Sequence, residues 1–129
     1  MFRIITLALS LTGLLAGSHA AYSAEFKKFT QAAFEQAKKS GNPVLVEVHA
    51  DWCPTCKVQK PAIQDIGKAD KFKNLIVLEA DFDTQKDALK PLNVQMQSTL
   101  IMYKGMSETG RSAGDTNKKS IMTLIEKGL

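Results

Sequence analysis

The feature that most constrains this chain is a pair of cysteines, Cys53 and Cys56, at the end of an apolar run. Residues 43–48 are dense in β-branched side chains and follow a turn-forming glycine and asparagine, which is typical of a buried strand. Residues 58–69 show helical spacing of their apolar side chains, at Val58, Ala62, Ile63 and Ile66. The two thiols are therefore predicted to lie where a strand ends and a helix begins.

Cys53 is predicted to lie at or near the start of that helix. Pro54 then takes the first helical position, where the N–H group that proline lacks is not missed. A thiolate at a helix start lies near unpaired N–H groups and the positive end of the helix dipole, which favour it over the thiol. Because the thiolate is the attacking species in disulfide exchange, this position predicts a nucleophile.

Residues 44–57, with the sequence VLVEVHADWCPTCK, and Pro61 beyond them resemble the active-site strand and helix of the thioredoxin family. A bare C-x-x-C motif is a weak signal, but here a strand pattern and Trp52 precede it and a lysine follows it. The resemblance covers nearly all of the chain after residue 24, most strongly at 43–61 and 94–114. It implies a thioredoxin-like α/β fold, with a mixed central β-sheet flanked by helices, and thiol-disulfide oxidoreductase activity.

The rest of the chain alternates between strand and helix patterns. The predicted elements are a strand at 25–28, a helix from a Thr30 cap to about Ser40, a strand at 43–49, a helix from Cys53 to about Lys68, a strand at 75–80, a short helix capped by Asp83 and ended by Pro91, a hairpin of 99–103 with 108–112, and a helix at 117–127. Pro61 is expected to kink the second long helix. This order predicts a small α/β sandwich with a mixed sheet.

Residues 1–20 have the pattern of a secretory signal peptide, which leaves 21–129 as one thioredoxin-like domain. A short basic start precedes an apolar run to Ala16, and small residues at Ser18 and Ala20 suit cleavage after Ala20. Cleavage after Ala24 is the alternative. The sequence therefore predicts export to the periplasm.

Export allows a disulfide to persist, but a bridge that closes so small a loop adds little as a structural staple. A structural zinc site needs four Cys or His ligands, and the chain after residue 20 offers two cysteines and His49. Both considerations favour a redox role. The net charge of +4 comes with lysines scattered in pairs, which gives no support for nucleic-acid binding.

The resemblance assigns Cys53 as the attacking thiolate and Cys56 as the resolving thiol, which we expect to be the more buried of the two. Glu47 lies within the apolar strand and matches the buried acid of the family, which is usually Asp. A desolvated carboxylate there should have a raised pKa and could take the proton of Cys56. The alternative is that Glu47 faces solvent at a strand end.

The resemblance also implies a surface that contacts the partner around the thiols, formed by Trp52, Pro54, Thr55, Gln97 and Ser98. Plain packing is the alternative for Trp52. Ser98 is the main departure, because most family members carry a cis-proline there, in a loop that docks the substrate backbone and keeps metals off the thiols. A cis peptide bond before a non-proline residue costs roughly 2.5–4 kcal/mol, so the Gln97–Ser98 bond is predicted to be trans.

This departure leaves a second hypothesis open, in which the two thiolates bind a soft metal such as Cu(I). Met96, Met102 and Met106 would be nearby thioether ligands, although methionine in a strand or loop is more often core filler. The main hypothesis needs no cofactor. It predicts a monomer that exchanges disulfides with protein thiols and disulfides, with a membrane electron carrier as a further partner. Whether it oxidises or reduces those partners stays open.

Overall fold

The structure, a computed structural model, describes residues 23–129, so the predicted signal peptide lies outside the described residues. The elements in chain order are β1 (Glu25–Lys28), α1 (Gln31–Lys39), β2 (Pro43–His49), α2 (Pro54–Ile66), β3 (Ile76–Asp81), α3 (Lys86–Leu89), β4 (Thr99–Lys104), β5 (Ser107–Ala113) and α4 (Lys118–Glu126). Two short 3₁₀ helices lie at Asp70–Phe72 and Lys90–Leu92. Within the described range, no helix has the length and apolar character needed to cross a bilayer.

The five strands form one mixed sheet in the order β1-β3-β2-β4-β5. β1 and β2 both pair parallel with β3, whereas β4 pairs antiparallel with β2 and β5 antiparallel with β4. β2 lies at the centre, and its bounds match the strand predicted at 43–49. The predicted fold, a mixed sheet flanked by helices, is confirmed.

The sheet separates two apolar clusters, and β2 contributes to both. Leu45 packs with the α2 and α4 side chains Ile63 and Ile121, whereas Val46 packs on the opposite face with Phe34 of α1. Because successive strand residues alternate between faces, Glu47 is on the same face as Leu45, toward α2. The central strand therefore directs one carboxyl group under the helix that carries the cysteines.

Of the two residues predicted to cap helices through their side chains, Thr30 and Asp83, the first is confirmed. Thr30 caps α1 by accepting the Ala33 N–H at 3.0 Å, and Asn117 caps α4. The predicted Asp83 cap of α3 is wrong. That helix begins at Lys86, and Asp81 instead accepts the N–H groups of Asp83 and Thr84 and so holds the preceding turn.

One prediction about the buried face of α2 is also wrong. Val58 is 51% exposed, and its neighbour Gln59 is completely buried. Gln59 extends the buried row of Cys56, Ile63 and Ile66, since residues three and four apart share a helix face. Ile63 and Ile66 are therefore buried as the apolar spacing predicted, whereas the polar Gln59 replaces Val58 in the buried row.

Candidate active site

Cys53 and Cys56 form a disulfide at the start of α2. Cys53 is the N-cap residue, Pro54 follows in the first turn, and the Cys56 N–H donates to Cys53 Sγ at 3.1 Å. The predicted position of the thiols at a helix start is confirmed. The Cys53 sulfur thus already accepts one of the N–H groups that a helix start leaves unpaired.

The prediction that Cys56 is the more buried cysteine is wrong for this oxidised form. Cys53 is 0% exposed and Cys56 is 5% exposed. The physical reason is that the Cys53 sulfur turns toward the helix end, where it accepts an N–H and bonds to Cys56. In this oxidised form the Cys53 sulfur is therefore not exposed to solvent.

Glu47 is 1% exposed, so the alternative that it faces solvent is wrong. Neither of its carboxylate oxygens has a hydrogen-bond partner among the described residues. Burial, the largest cause, and repulsion from Glu79 together raise the pKa of Glu47 to about 7, against the opposing charge of Lys60. At neutral pH this carboxyl group is divided between the acid and the carboxylate, which suits it to accept and release a proton.

A cavity of about 400 Å³ brings Glu47 and Cys56 together in its lining, with Pro61 and Lys60 of α2. Its walls are largely apolar, but a space of this size that also exposes the polar groups of Glu47 and Lys60 can hold several water molecules. Proton transfer between Cys56 and Glu47 can therefore run through water. His49 also lines this cavity and is half-buried at the end of β2, where the sequence predicted it.

The sequence analysis missed an ion pair beside Glu47. Lys60 Nζ lies 2.5 Å from Glu79 Oε1, and Glu79 is the register partner of Glu47 on β3. The pairing with Glu79 raises the pKa of Lys60. A signal was available, because Glu79 is the one acid within the second apolar strand pattern, as Glu47 is within the first. Only the strand register shows that the two acids are adjacent.

Ser98 adjoins the disulfide through the carbonyl group of Val48. The Ser98 N–H donates to Val48 O at 2.8 Å, and the same oxygen lies 4.0 Å from Cys56 Sγ. Ser98 is buried with a φ of +61°, and residues 23–129 contain no cis peptide bond, so Gln97–Ser98 is trans as predicted. A serine can hold this loop by its N–H group, which a proline lacks.

Comparison with known proteins decides the family. The Thioredoxin family profile matches residues 25–127. The chain belongs to the thioredoxin family. Thioredoxin from Chlamydia trachomatis is 31% identical over 65% of this chain and 80% of its own length. Thioredoxin from Mycobacterium bovis is 31% identical over 74% of this chain and 82% of its own.

A solved structure agrees with this assignment. The crystal structure of Trxlp from Edwardsiella tarda superposes with a TM-score of 0.76 at 40% identity, covering 78% of this chain and 98% of that one. Family membership and the Cys53–Cys56 disulfide together make this thioredoxin-family protein a thiol-disulfide oxidoreductase.

The predicted surface residues of this thioredoxin-family protein differ in exposure. Trp52 is 58% exposed and donates from Nε1 to Asp83 Oδ2 at 2.8 Å, so its ring is tied to the turn after β3 without being buried. Pro54 is exposed, and Thr55 and Gln97 are half-buried. These four are placed where a partner could touch them, whereas the fifth predicted contact residue, Ser98, is 1% exposed. Contact of any of the five with a partner stays a prediction.

The copper hypothesis gains no support from the described residues. Among residues 23–129, no group of three or more His, Cys, Asp or Glu side chains could hold a metal ion. Met102 is completely buried within the core, and Met96 and Met106 are exposed. Met102 is thus the core filler that its place in a strand pattern favoured.

Proposed function

We propose that this protein is exported to the periplasm and exchanges disulfides with partner proteins there, with Glu47 as the base that completes each exchange. The observation that carries the proposal is the buried Glu47 carboxyl group, which has no hydrogen-bond partner within residues 23–129 and lines the same cavity as Cys56. A buried acid without a partner lowers stability when it ionises. Proton transfer to and from Cys56 gives this costly group a role.

In the proposed first step, the Cys53 thiolate attacks one sulfur of a partner disulfide. A bond forms between Cys53 and that sulfur, the partner S–S bond breaks, and the other partner sulfur leaves as a thiolate that takes a proton from water. The helix start stabilises the Cys53 thiolate before the attack. Both electrons of the broken bond leave with the departing sulfur.

In the second step, Cys56 gives its proton to the Glu47 carboxylate through water in the cavity. The Cys56 thiolate then attacks Cys53, the intramolecular disulfide forms, and the partner leaves as a second thiolate. Two electrons pass from the dithiol to the partner in total. The same steps in reverse oxidise a partner dithiol, so one geometry serves either direction.

Export is supported by the signal-peptide pattern of residues 1–20. Outside the cytoplasm the Cys53–Cys56 pair must be returned to its starting state by another thiol-disulfide protein, and we propose a membrane electron carrier for that task. The small domain acts as a monomer in this scheme. Fractionation of cells that produce the full chain tests the location, and a deletion of residues 1–20 that leaves the location unchanged would contradict export.

Trapping experiments test the exchange itself. Cys56→Ser should accumulate a mixed disulfide with a protein disulfide such as insulin, because Cys53 attacks and nothing resolves the product. Cys53→Ser is the matched control and should accumulate none. Equal trapping by the two variants, or equal alkylation rates of the two thiols in the reduced protein at pH 6–7, would contradict the assigned order.

A further inference from the structure

Gln59 is a completely buried polar side chain beneath the disulfide, one helical turn after Cys56. Its Nε2 atom donates two hydrogen bonds, to Ser98 O at 3.1 Å and to Asp115 O at 2.8 Å. These bonds join α2 to the loop before β4 and to the loop between β5 and α4. One amide group therefore ties together three segments that are distant in sequence.

The arrangement is costly for the fold, because Gln59 Oε1 is buried and has no hydrogen-bond partner among the described residues. An apolar side chain of the same length would fill this position on the buried face of α2 and avoid that cost. The same substitution would remove the side-chain donor to Ser98 O and to Asp115 O. What the glutamine adds is the attachment of the two loops.

The Ser98 backbone needs such attachment, because a φ of +61° is unfavourable for a non-glycine residue. Three hydrogen bonds hold it: its N–H donates to Val48 O, and its carbonyl oxygen accepts from Gly114 N at 3.0 Å and from Gln59 Nε2. Two of these partners are backbone groups, so Gln59 is the side chain on which the loop conformation depends. The same loop carries the half-buried Gln97 and the exposed Met96.

We propose that Gln59 is a positioning residue that fixes the Ser98 loop beside the disulfide and so determines how tightly partner proteins dock. The proposal rests on the proposed exchange with partner proteins, because a docking role requires a partner protein that docks. Gln59 touches neither sulfur through a hydrogen bond, so its removal leaves the thiol chemistry in place. Gln59 acts through the Ser98 carbonyl group on the residues before Ser98, which are Gln97 and Met96.

Gln59→Met tests this proposal, because it keeps the side-chain length and removes the donor. We expect its KM for insulin disulfides to rise about three- to tenfold, which corresponds to the loss of one or two hydrogen bonds. The rate of reaction with a small aromatic disulfide, which needs no docking loop, should stay within about twofold of the unchanged protein. Gln36→Met, at an exposed position of α1, is the matched control and should change neither value.

The outcomes separate the two proposals. If the wild-type protein reacts with the small disulfide but not with insulin, the proposed exchange with partner proteins is itself contradicted. If the wild-type protein reduces insulin and Gln59→Met has the same KM for insulin, only the positioning role of Gln59 is contradicted. Equal losses with insulin and with the small disulfide would show a general structural effect and would also contradict it. If Gln59→Met does not fold, the shorter, branched Gln59→Leu is measured in the same way.

Discussion

Replacement of Glu47 by Gln should change how stability depends on pH. The carboxyl pKa is 4.5 in the unfolded chain and about 7 in the fold, so the folded state holds the proton more tightly. Between those values the folded state binds more protons than the unfolded state, and the free energy of unfolding falls as pH rises. Since a tenfold change in proton affinity equals about 1.4 kcal/mol, the fold loses roughly 3 kcal/mol between pH 4.5 and pH 8.

Glu47→Gln removes this loss, because the amide carries no charge at any of these pH values. Urea unfolding at intervals from pH 4.5 to pH 8 should show the variant gaining roughly 3 kcal/mol relative to the unchanged protein across that range. The slope of the difference matters more than its absolute value, because the amide brings its own unpaired polar atoms at every pH. Glu25→Gln, at an exposed site on β1, should differ by less than about 0.5 kcal/mol throughout. A difference between Glu47→Gln and the unchanged protein that is flat with pH would refute the buried-acid account.

Two further substitutions test the surroundings of the disulfide. Ser98→Pro should lower the free energy of unfolding by at least about 2 kcal/mol, because proline cannot adopt a φ of +61° and leaves Val48 O without its donor. Ser98→Ala keeps the N–H group, so its free energy of unfolding should fall clearly less. If Ser98→Pro were instead more stable than the wild-type protein, the loop would have the cis-proline shape of the family. The free energy of unfolding that is lost when Glu47 ionises should be lost at a higher pH in Lys60→Met. Lys60 lowers the Glu47 pKa, and its removal leaves Glu79 unpaired. A midpoint of this loss that stays in place or falls would contradict that electrostatic role.

Local patterns were enough to predict the strand that ends before Cys53 and the helix that begins there. The apolar run at 43–48 and the Thr30 cap are signals within a few residues of the elements that they specify. The family resemblance then supplied the roles of the cysteines and directed attention to Glu47.

Contacts between distant segments were not predictable in the same way. Gln59 is buried because carbonyl groups 39 and 56 residues further along the chain accept its N–H groups. Helical periodicity favoured its apolar neighbour Val58, since nothing nearby in sequence marks those acceptors. The adjacency of Glu47 and Glu79 likewise depends on the register of two parallel strands, and the pairing of Lys60 with Glu79 depends on how α2 lies over them. The inward turn of Cys53 follows from its bond to Cys56 rather than from helix spacing.

The most direct test of the central claim is the rate at which a partner protein leaves the mixed disulfide, measured by stopped flow from pH 6 to pH 9. In the unchanged protein this rate should rise as the Glu47 carboxyl group ionises, with a midpoint near its pKa of about 7. Glu47→Gln should leave the first attack nearly intact and slow release by about 10²–10⁴-fold, the usual contribution of a general base. Equal release rates for the two proteins across this pH range would contradict the role of Glu47 as the base.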